Sequence, residues 1–316
     1  MAAAAHSFAT KKRRVKVRKK PEVKIEQSKC TGCGACTKVC PTDCLLLKDG
    51  KTAFVGDLCM ACCHCEAVCP EKAVTIEMGA AELTDFETFS LDKKCVEYGA
   101  TDTGELVNLL ASRRSCRNFA EKEVPIEMLR DLVRAAVYAP SATNVQQWSF
   151  TILANDKKVR ILVKELVRVY EEFNHLAPKR LLRKALKFFG KPELDDYYNG
   201  YYSFIKRRLA EMQEGGRDVF FRGATAAIIV SGPGGLHCQD DAMLATENIL
   251  LTAHSMGLGS CLVGMANAAI RHDAKIKKTV GIPIKETVHS VIALGYPQEP
   301  YKRVARKFEP KINLQQ

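Results

Sequence analysis

Short apolar runs at the start of the chain give way to long amphipathic ones. Ile25 and the alternating pair Leu45 and Leu47 recur 29 residues later as Phe54 and as Val74 and Ile76, and Gly50 recurs as Gly79. Each half predicts a short strand, a loop, about one helical turn and a second short strand, with too few apolar residues to hold together by burial alone. Beyond residue 104 the period lengthens. Residues 106–111 predict a helix. Leu129, Leu132, Val133, Ala136 and Val137, and then Val159, Leu162, Val163, Leu166, Val167 and Tyr170, follow i, i+3, i+4 spacing and predict two amphipathic helices around a strand at 149–153. A buried strand is predicted at 224–231, a long helix through Met243, Leu244, Glu247, Leu250 and Leu251, and a last strand at 288–294. Helices mixed with strands too few for regular βα alternation predict an α+β fold.

Two stretches stand outside these patterns. Residues 78–103 turn acidic (Glu82, Asp85, Glu87, Asp92, Asp102) without strong periodicity, as a linker and packing segment would. Between 175 and 217, Arg180, Arg183, Lys184 and Lys187 share one helical face, opposite Leu181, Leu182, Leu186 and Phe189, and Tyr197, Tyr198, Tyr201, Tyr202 and Phe204 follow. The basic face suits an acidic partner, an anionic membrane surface or plain solvent, and the aromatic group suits a flat substrate.

A chain of 316 residues, 47% hydrophobic, has the material for a sizeable core, which excludes disorder throughout. Its +12 net charge is mostly an arm, because Lys11, Lys12, Arg13, Arg14, Lys16, Arg18, Lys19 and Lys20 leave only +4 for everything beyond them. No recognition helix or single-strand motif accompanies the charge, so nucleic acid is not an expected partner. The start MAAAAHSF does not read as a secretory leader, and no apolar run approaches the roughly 18 to 20 residues of a bilayer span. In a reducing compartment, clustered cysteines read as metal ligands before disulfides, and ten of the 14 lie between Cys30 and Cys69.

Those ten contain C-x2-C-x2-C-x3-C-P twice, as Cys30, Cys33, Cys36, Cys40 and Pro41 and as Cys59, Cys62, Cys65, Cys69 and Pro70. Three cysteines on a tight loop can hold three corners of a 4Fe–4S cubane, while the fourth, before a chain-redirecting proline, serves the other cluster. The expected sets are Cys30, Cys33, Cys36 and Cys69 for one cluster and Cys59, Cys62, Cys65 and Cys40 for the other. Gly32 and Gly34 suit a loop whose N–H groups approach cluster sulfur. Zinc would want two well-separated CxxC pairs instead. Cys44 and Cys63 read as local packing, and Cys95, Cys116, Cys238 and Cys261 as small buried hydrophobes. Residues 22–79 resemble the bacterial-type two-cluster ferredoxins.

Three later segments carry a second chemistry. RRSCRNF at 113–119 gathers Arg113, Arg114, Ser115 and Arg117, planar forks and a hydroxyl suited to a phosphate. APSATNVQQWSF at 139–150 offers Asn144, Gln146 and Gln147 as neutral donor-acceptors for an imide-like ring edge. GLGSCLVGMAN at 257–267 is a glycine-spaced turn where backbone N–H groups can reach a ligand. In this order they resemble the flavin-dependent nitroreductase family from about 104 to 310. The resemblance implies an α+β domain with a central mixed or antiparallel sheet flanked by helices, FMN as cofactor and a homodimer. It assigns the phosphate and ribityl chain to Arg113, Arg114, Ser115 and Arg117, the isoalloxazine to Pro140, Ser141 and Asn144, and the region of the flavin N5 to Val263, Gly264 and Met265. Arg303 and Arg306 would help hold the phosphate. Gln147 stands where the family commonly has proline, and Gly264 where some members carry glutamate.

The expected organisation is a basic arm at 1–21, a two-cluster ferredoxin domain at 22–79, a linker at 80–103 and an FMN domain at 104–316 with a lid or insertion at 175–217. Electrons from reduced ferredoxin or another low-potential donor, with NAD(P)H as an alternative, would pass singly through two 4Fe–4S clusters to FMN. The acceptor would be a nitroaromatic, quinone, enone or halogenated compound, with no catalytic acid or base supplied by the protein. The competing reading is an electron carrier serving a partner protein. Oxygen-sensitive clusters suit an anaerobic cytoplasm.

Overall fold

The computed structural model describes residues 21–78, 85–92 and 94–315. Apart from Pro21, the basic arm lies outside the described residues. The described residues form two compact units, one running to Met78 and including Thr143–Val145, the other made of the remainder.

The first unit follows the repeat. Its elements are β1 (Glu22–Ile25), α1 (Ala35–Lys38), β2 (Leu45–Lys48), β3 (Lys51–Phe54), α2 (His64–Ala67) and β4 (Val74–Glu77). The two halves interlock: β1 pairs antiparallel with β4 (Ile25 opposite Val74), and β2 with β3 (Leu45 opposite Phe54). The backbone repeats as well as the sequence. Gly32 and Ala61, Gly34 and Cys63, and Asp43 and Lys72 are left-handed pairs 29 residues apart. Of these six positions only Gly32 is sterically closed to a side chain by backbone, since a Cβ there would come within 1.9 Å of the Gly50 carbonyl oxygen. The apolar core is small: Cys36, Leu45, Val74 and Ile76 are buried, with Val23, Ile25 and Phe54 packed against them.

The second unit runs α3 (Thr103–Ser112), α4 (Ile126–Ala136), β5 (Ser149–Leu153), α5 (Asp156–Leu176), α6 (Arg180–Phe188), α7 (Glu193–Gly200), α8 (Tyr202–Gln213), β6 (Ala226–Gly232), α9 (Leu236–Ser255), β7 (Gly259–Leu262), α10 (Gly264–His272), α11 (Ala274–Val280) and β8 (Thr287–Gly295). Its sheet has the order β5-β6-β8-β7, every neighbour antiparallel. Alternation along the strands separates two cores. Ala227, Ile229, Val291 and Ala293 pack with Leu162 and Leu166 of α5 and Ile270 of α10. Ala226, Ile228, Val230, Ile292 and Leu294 pack with Leu129 and Leu132 of α4 and Ala245 and Ile249 of α9. The fold is α+β as expected.

Three local features go beyond the expectations. The glycine-spaced turn contains a strand, β7, because Gly259 lets the chain pass where a Cβ would meet Cys116 at 2.8 Å and Phe119 at 3.2 Å. The acidic stretch is docked on α4. Phe86 stacks on Tyr138, and fully buried Asp131 accepts from the Glu87 and Thr88 amides and the Thr88 hydroxyl at 2.7–2.9 Å. The face of α6 divides differently: Arg183 turns inward to Asp195 at 2.7 Å and stacks 3.7 Å over Tyr198, while Leu181, Phe188 and Phe189 are exposed.

Candidate functional site

Strand pairing in the first unit dictates which cysteines meet. Joining β1 to β4, extended by Glu26 N–H donating to the Ala73 carbonyl at 2.8 Å, brings the chain after β1 beside the chain before β4. A cavity there, with about 310 Å³ of empty space, is lined by Cys30, Cys33, Cys36 and Cys69. Joining β2 to β3, extended by Val55 N–H donating to the Cys44 carbonyl at 2.9 Å, does the same for the other set. The second cavity, about 380 Å³, is lined by Cys40, Cys59, Cys62 and Cys65, and also by Cys44 and Cys63. Each cavity thus draws three thiols from one motif and one from the other.

The surroundings suit thiolate. Thr52 N–H donates to Cys30 Sγ at 3.4 Å, Ala73 N–H to Cys69 Sγ at 3.3 Å and Cys44 N–H to Cys40 Sγ at 3.2 Å. The Thr52 amide leads the contacts that hold the Cys30 thiol below its ordinary range. Burial raises Cys40, but the Thr42 and Cys44 amides outweigh it and leave the thiol lowered. Burial pushes Cys65 and Cys63 up to about 11, so ionising either calls for a cation at the cavity. Among the described residues, no group of three His, Cys, Asp or Glu side chains gathers around a single-ion position.

In the second unit the arginine segment leaves α3 and runs beside β7. Ser115 pairs with Ser260 in parallel register, Cys116 N–H donates to the Ser260 carbonyl at 2.9 Å, and the chain then crosses to the end of β8, where Phe119 pairs with Pro297 and Ala120 N–H donates to the Tyr296 carbonyl at 2.9 Å. Arg113, Arg114 and Ser115 are half-buried and Arg117 is exposed. A Cβ at Gly264 would meet nothing within 4 Å, which leaves open space beside that backbone. Tyr170 donates to the Met265 carbonyl at 2.9 Å and fixes the turn from below. Arg114 lies over the Tyr301 ring at 5.2 Å, and Arg303 and Arg306 follow in an exposed extended stretch.

Pro140 and Ser141 precede β5, which lies at the opposite edge of the sheet from β7. The Ser141 hydroxyl accepts from Gln146 N–H at 3.1 Å, and buried Asp241 accepts from Ala142 N–H at 3.0 Å. Asn144 groups with the first unit, where its side-chain amide donates to the carbonyls of Met60 at 3.3 Å and Ala61 at 2.7 Å. Thr143, Asn144 and Gln146 are all left-handed, a costly backbone of the kind that clusters at functional loops.

Sequence reasoning missed Asp241, Asp131 and the placement of Cys44 and Cys63 on a cavity. Asp241 carried a signal, since it interrupts the i, i+4 stripe of Ala245 and Ile249. The aromatic group is largely structural: Tyr197 is buried against Tyr170 and Phe173, and Tyr198 stacks on Tyr202, leaving Tyr201 and Phe204 exposed. Cys116 is buried as expected, but Cys95 is exposed and Cys238 and Cys261 are half-buried.

These features define a redox protein, with thiol cages in one unit and a polar edge on the sheet of the other. Residues 110–296 match the nitroreductase family and residues 23–46 the 4Fe–4S binding domain. The chain belongs to the nitroreductase family, as an oxidoreductase that also carries a 4Fe–4S binding domain. It is 29% identical over 214 residues to a 4-nitrobenzoate reductase of Nocardioides sp., covering 64% of this chain and 85% of that protein. It is 29% identical over 188 residues to an iodotyrosine dehalogenase 1 homolog of Caenorhabditis elegans, covering 59% and 53% respectively. A crystal structure of a nitroreductase with bound FMN from Bacteroides fragilis superposes with a TM-score of 0.49 at 22% identity, covering 68% of this chain and all of that one.

Proposed function

We propose that this protein is an iron–sulfur flavoprotein that carries electrons from a low-potential donor, through two 4Fe–4S clusters, to FMN and on to a small organic acceptor. The observation that carries this reading is the pair of cavities, each lined by four cysteines drawn from both motifs in the crossed pattern. Cys30, Cys33, Cys36 and Cys69 hold one cluster and Cys40, Cys59, Cys62 and Cys65 the other, with the Thr52, Ala73 and Cys44 amides spreading thiolate charge. Bound FMN supplies two-electron reduction to a site fed one electron at a time.

Arg113, Arg114, Ser115 and Arg117 bind the phosphate and ribityl end, joined by Arg303 and Arg306, and the backbone from Val263 to Met265 orients the ring. Pro140, Ser141 and Asn144 complete the flavin site. Because the strand leading from Pro140 and Ser141 and the strand leading to Val263 are opposite edges of one sheet, a second copy supplies the missing half. Exposed Leu106, Val107 and Leu110 on α3 and Met243 and Leu244 on α9 suit burial in such a homodimer. The Asn144 side-chain amide donates to the carbonyls of Met60 and Ala61, in the loop between Cys59 and Cys62. The corresponding organisation is a ferredoxin domain at 22–79, a linker at 80–103 and a reductase domain at 104–316, with 175–217 over the substrate. No helix of the described residues is long and apolar enough to cross a membrane, and we place the protein in the cytoplasm of an anaerobe.

Anaerobically purified protein is expected to hold about eight irons, eight sulfides and one FMN per chain. Once reduced with dithionite, it should be reoxidised by a nitroaromatic, quinone, enone or halogenated phenol. Zinc in place of iron, failure to take up FMN, or reoxidation by protein acceptors alone would overturn the reading.

A further inference from the structure

The second cavity holds more thiols than a cubane uses. Six cysteines line it, the expected four together with Cys44 and Cys63, whereas the first cavity is lined by its expected four only. The two surplus thiols differ in how they are held. Cys44 is 2% exposed, its Sγ lies 3.2 Å from the Thr42 hydroxyl, and Gly56 packs so close that a Cβ there would fall 2.5 Å from that sulfur. It is fixed beneath Cys40 by its surroundings. Cys63 is half-buried on the cavity wall, next in sequence to Cys62, and its sulfur lies 3.6 Å from the Ala61 carbonyl and also meets the Glu66 side chain.

The repeat sharpens the point. Cys63 occupies the position of Gly34 and keeps its left-handed backbone, φ 58° against 72°, at the N-terminus of the same one-turn helix. A side chain there carries a steric cost that glycine avoids. Ala61, in the place of Gly32, shows that this loop tolerates a Cβ at such a position. Strain alone therefore assigns nothing to Cys63; the cavity wall it shares with Cys62 does.

We propose that Cys63 is a reserve ligand of the second cluster, able to take the position of Cys62. The inference rests on reading this cavity as a cluster site. In the exchange, one iron–sulfur bond to Cys62 breaks and one to Cys63 forms, Cys63 gives up its proton and Cys62 takes one up, and no electron is gained or lost.

The test uses the full-length chain, reconstituted anaerobically with iron and sulfide. Like the unaltered protein, C62A, C63A and C44A/C62A should hold about eight irons, whereas C62A/C63A and C36A, the latter with no spare thiol on its cavity, should hold fewer, about four if the cage empties or about seven with a three-iron EPR signal if it keeps three irons. EPR of the oxidised protein should be silent for C62A, as a cubane with four thiolates is, and EPR of the reduced protein should show both clusters. About four irons in C62A, a three-iron signal from its oxidised form, eight irons in C62A/C63A, or eight in C36A would each overturn the proposal. An unaltered chain that takes up neither iron nor sulfide would instead overturn the cluster reading beneath it.

Discussion

Pairs of cysteine substitutions separate crossed from sequential ligation, because the two arrangements predict opposite iron counts. If each motif served one cluster, Cys36 and Cys69 would belong to different clusters. The strand pairing puts them on one wall: Ile25 faces Val74, and Cys69 lines the same cavity as Cys30, Cys33 and Cys36. C36A/C69A should therefore dismantle one cage and keep about four of about eight irons, while C65A/C69A should dismantle both and keep almost none. Both pairs belong in a C63A background, so that the spare thiol cannot intervene. The assay is iron and sulfide per chain after anaerobic reconstitution, with EPR of the reduced protein reporting whether the surviving signal is that of one isolated cluster. Sequential ligation reverses the two counts, and that reversal would refute the argument from strand pairing.

Three further outcomes follow from particular contacts. Burial pushes the Asp131 carboxyl up, but the Glu87 and Thr88 amides, the Thr88 hydroxyl and Arg134 hold it below its ordinary range; its stabilisation is therefore complete at neutral pH and lost as pH falls below about 4. D131A strips three donors of their acceptor and should lower unfolding free energy in urea by about 3 kcal/mol, with a weaker acid dependence; an unchanged midpoint would show that the 85–92 segment is not docked. R114A should weaken FMN binding about tenfold to hundredfold in a fluorescence titration, the effect of one lost charge-assisted contact, and an unchanged Kd would remove Arg114 from the phosphate site. Chelating the iron should open the first unit to protease while residues 104–316 stay folded, and equal resistance before and after chelation would show that the cages do not hold that unit together.

What the sequence disclosed, and what it hid, divides along the range of the interactions. The 29-residue repeat announced the β1–α1–β2 and β3–α2–β4 halves because its signal is local: apolar alternation around a turn, and cysteines whose spacing suits one loop. Strand β5 was legible to the residue, since Trp148 ends a polar loop and Asn155 caps the next helix. Strand β7 was hidden because its one glycine and one serine carry no strand propensity; its place is fixed by Phe119 and Cys116, more than a hundred residues away. The inward turn of Arg183 was hidden for the same reason, its partners Asp195 and Tyr198 lying on another helix. Among site residues, the thiols could be grouped from spacing, whereas Asp241 beneath the 139–148 loop acts through tertiary contact and left only a break in an apolar stripe.

The two units join stability to chemistry in opposite ways. In the second, residues assigned to the flavin lie on loops and at the ends of strands, and of them Val263 belongs to one of the two apolar cores on either face of the sheet, with Met265 packed against it. Its site can therefore vary, as Gln147 and Gly264 already do relative to the family pattern, at little cost to the core. In the first unit the buried core cluster is four residues, one of them Cys36, a thiol of the cage itself. There the groups expected to carry electrons also close the fold: β1 meets β4 where Cys69 joins Cys30, and β2 meets β3 where Cys40 joins Cys59. A lost ligand costs that unit structure and electron transfer together, so a spare thiol has a use on its cavity wall that it would not have at the flavin edge.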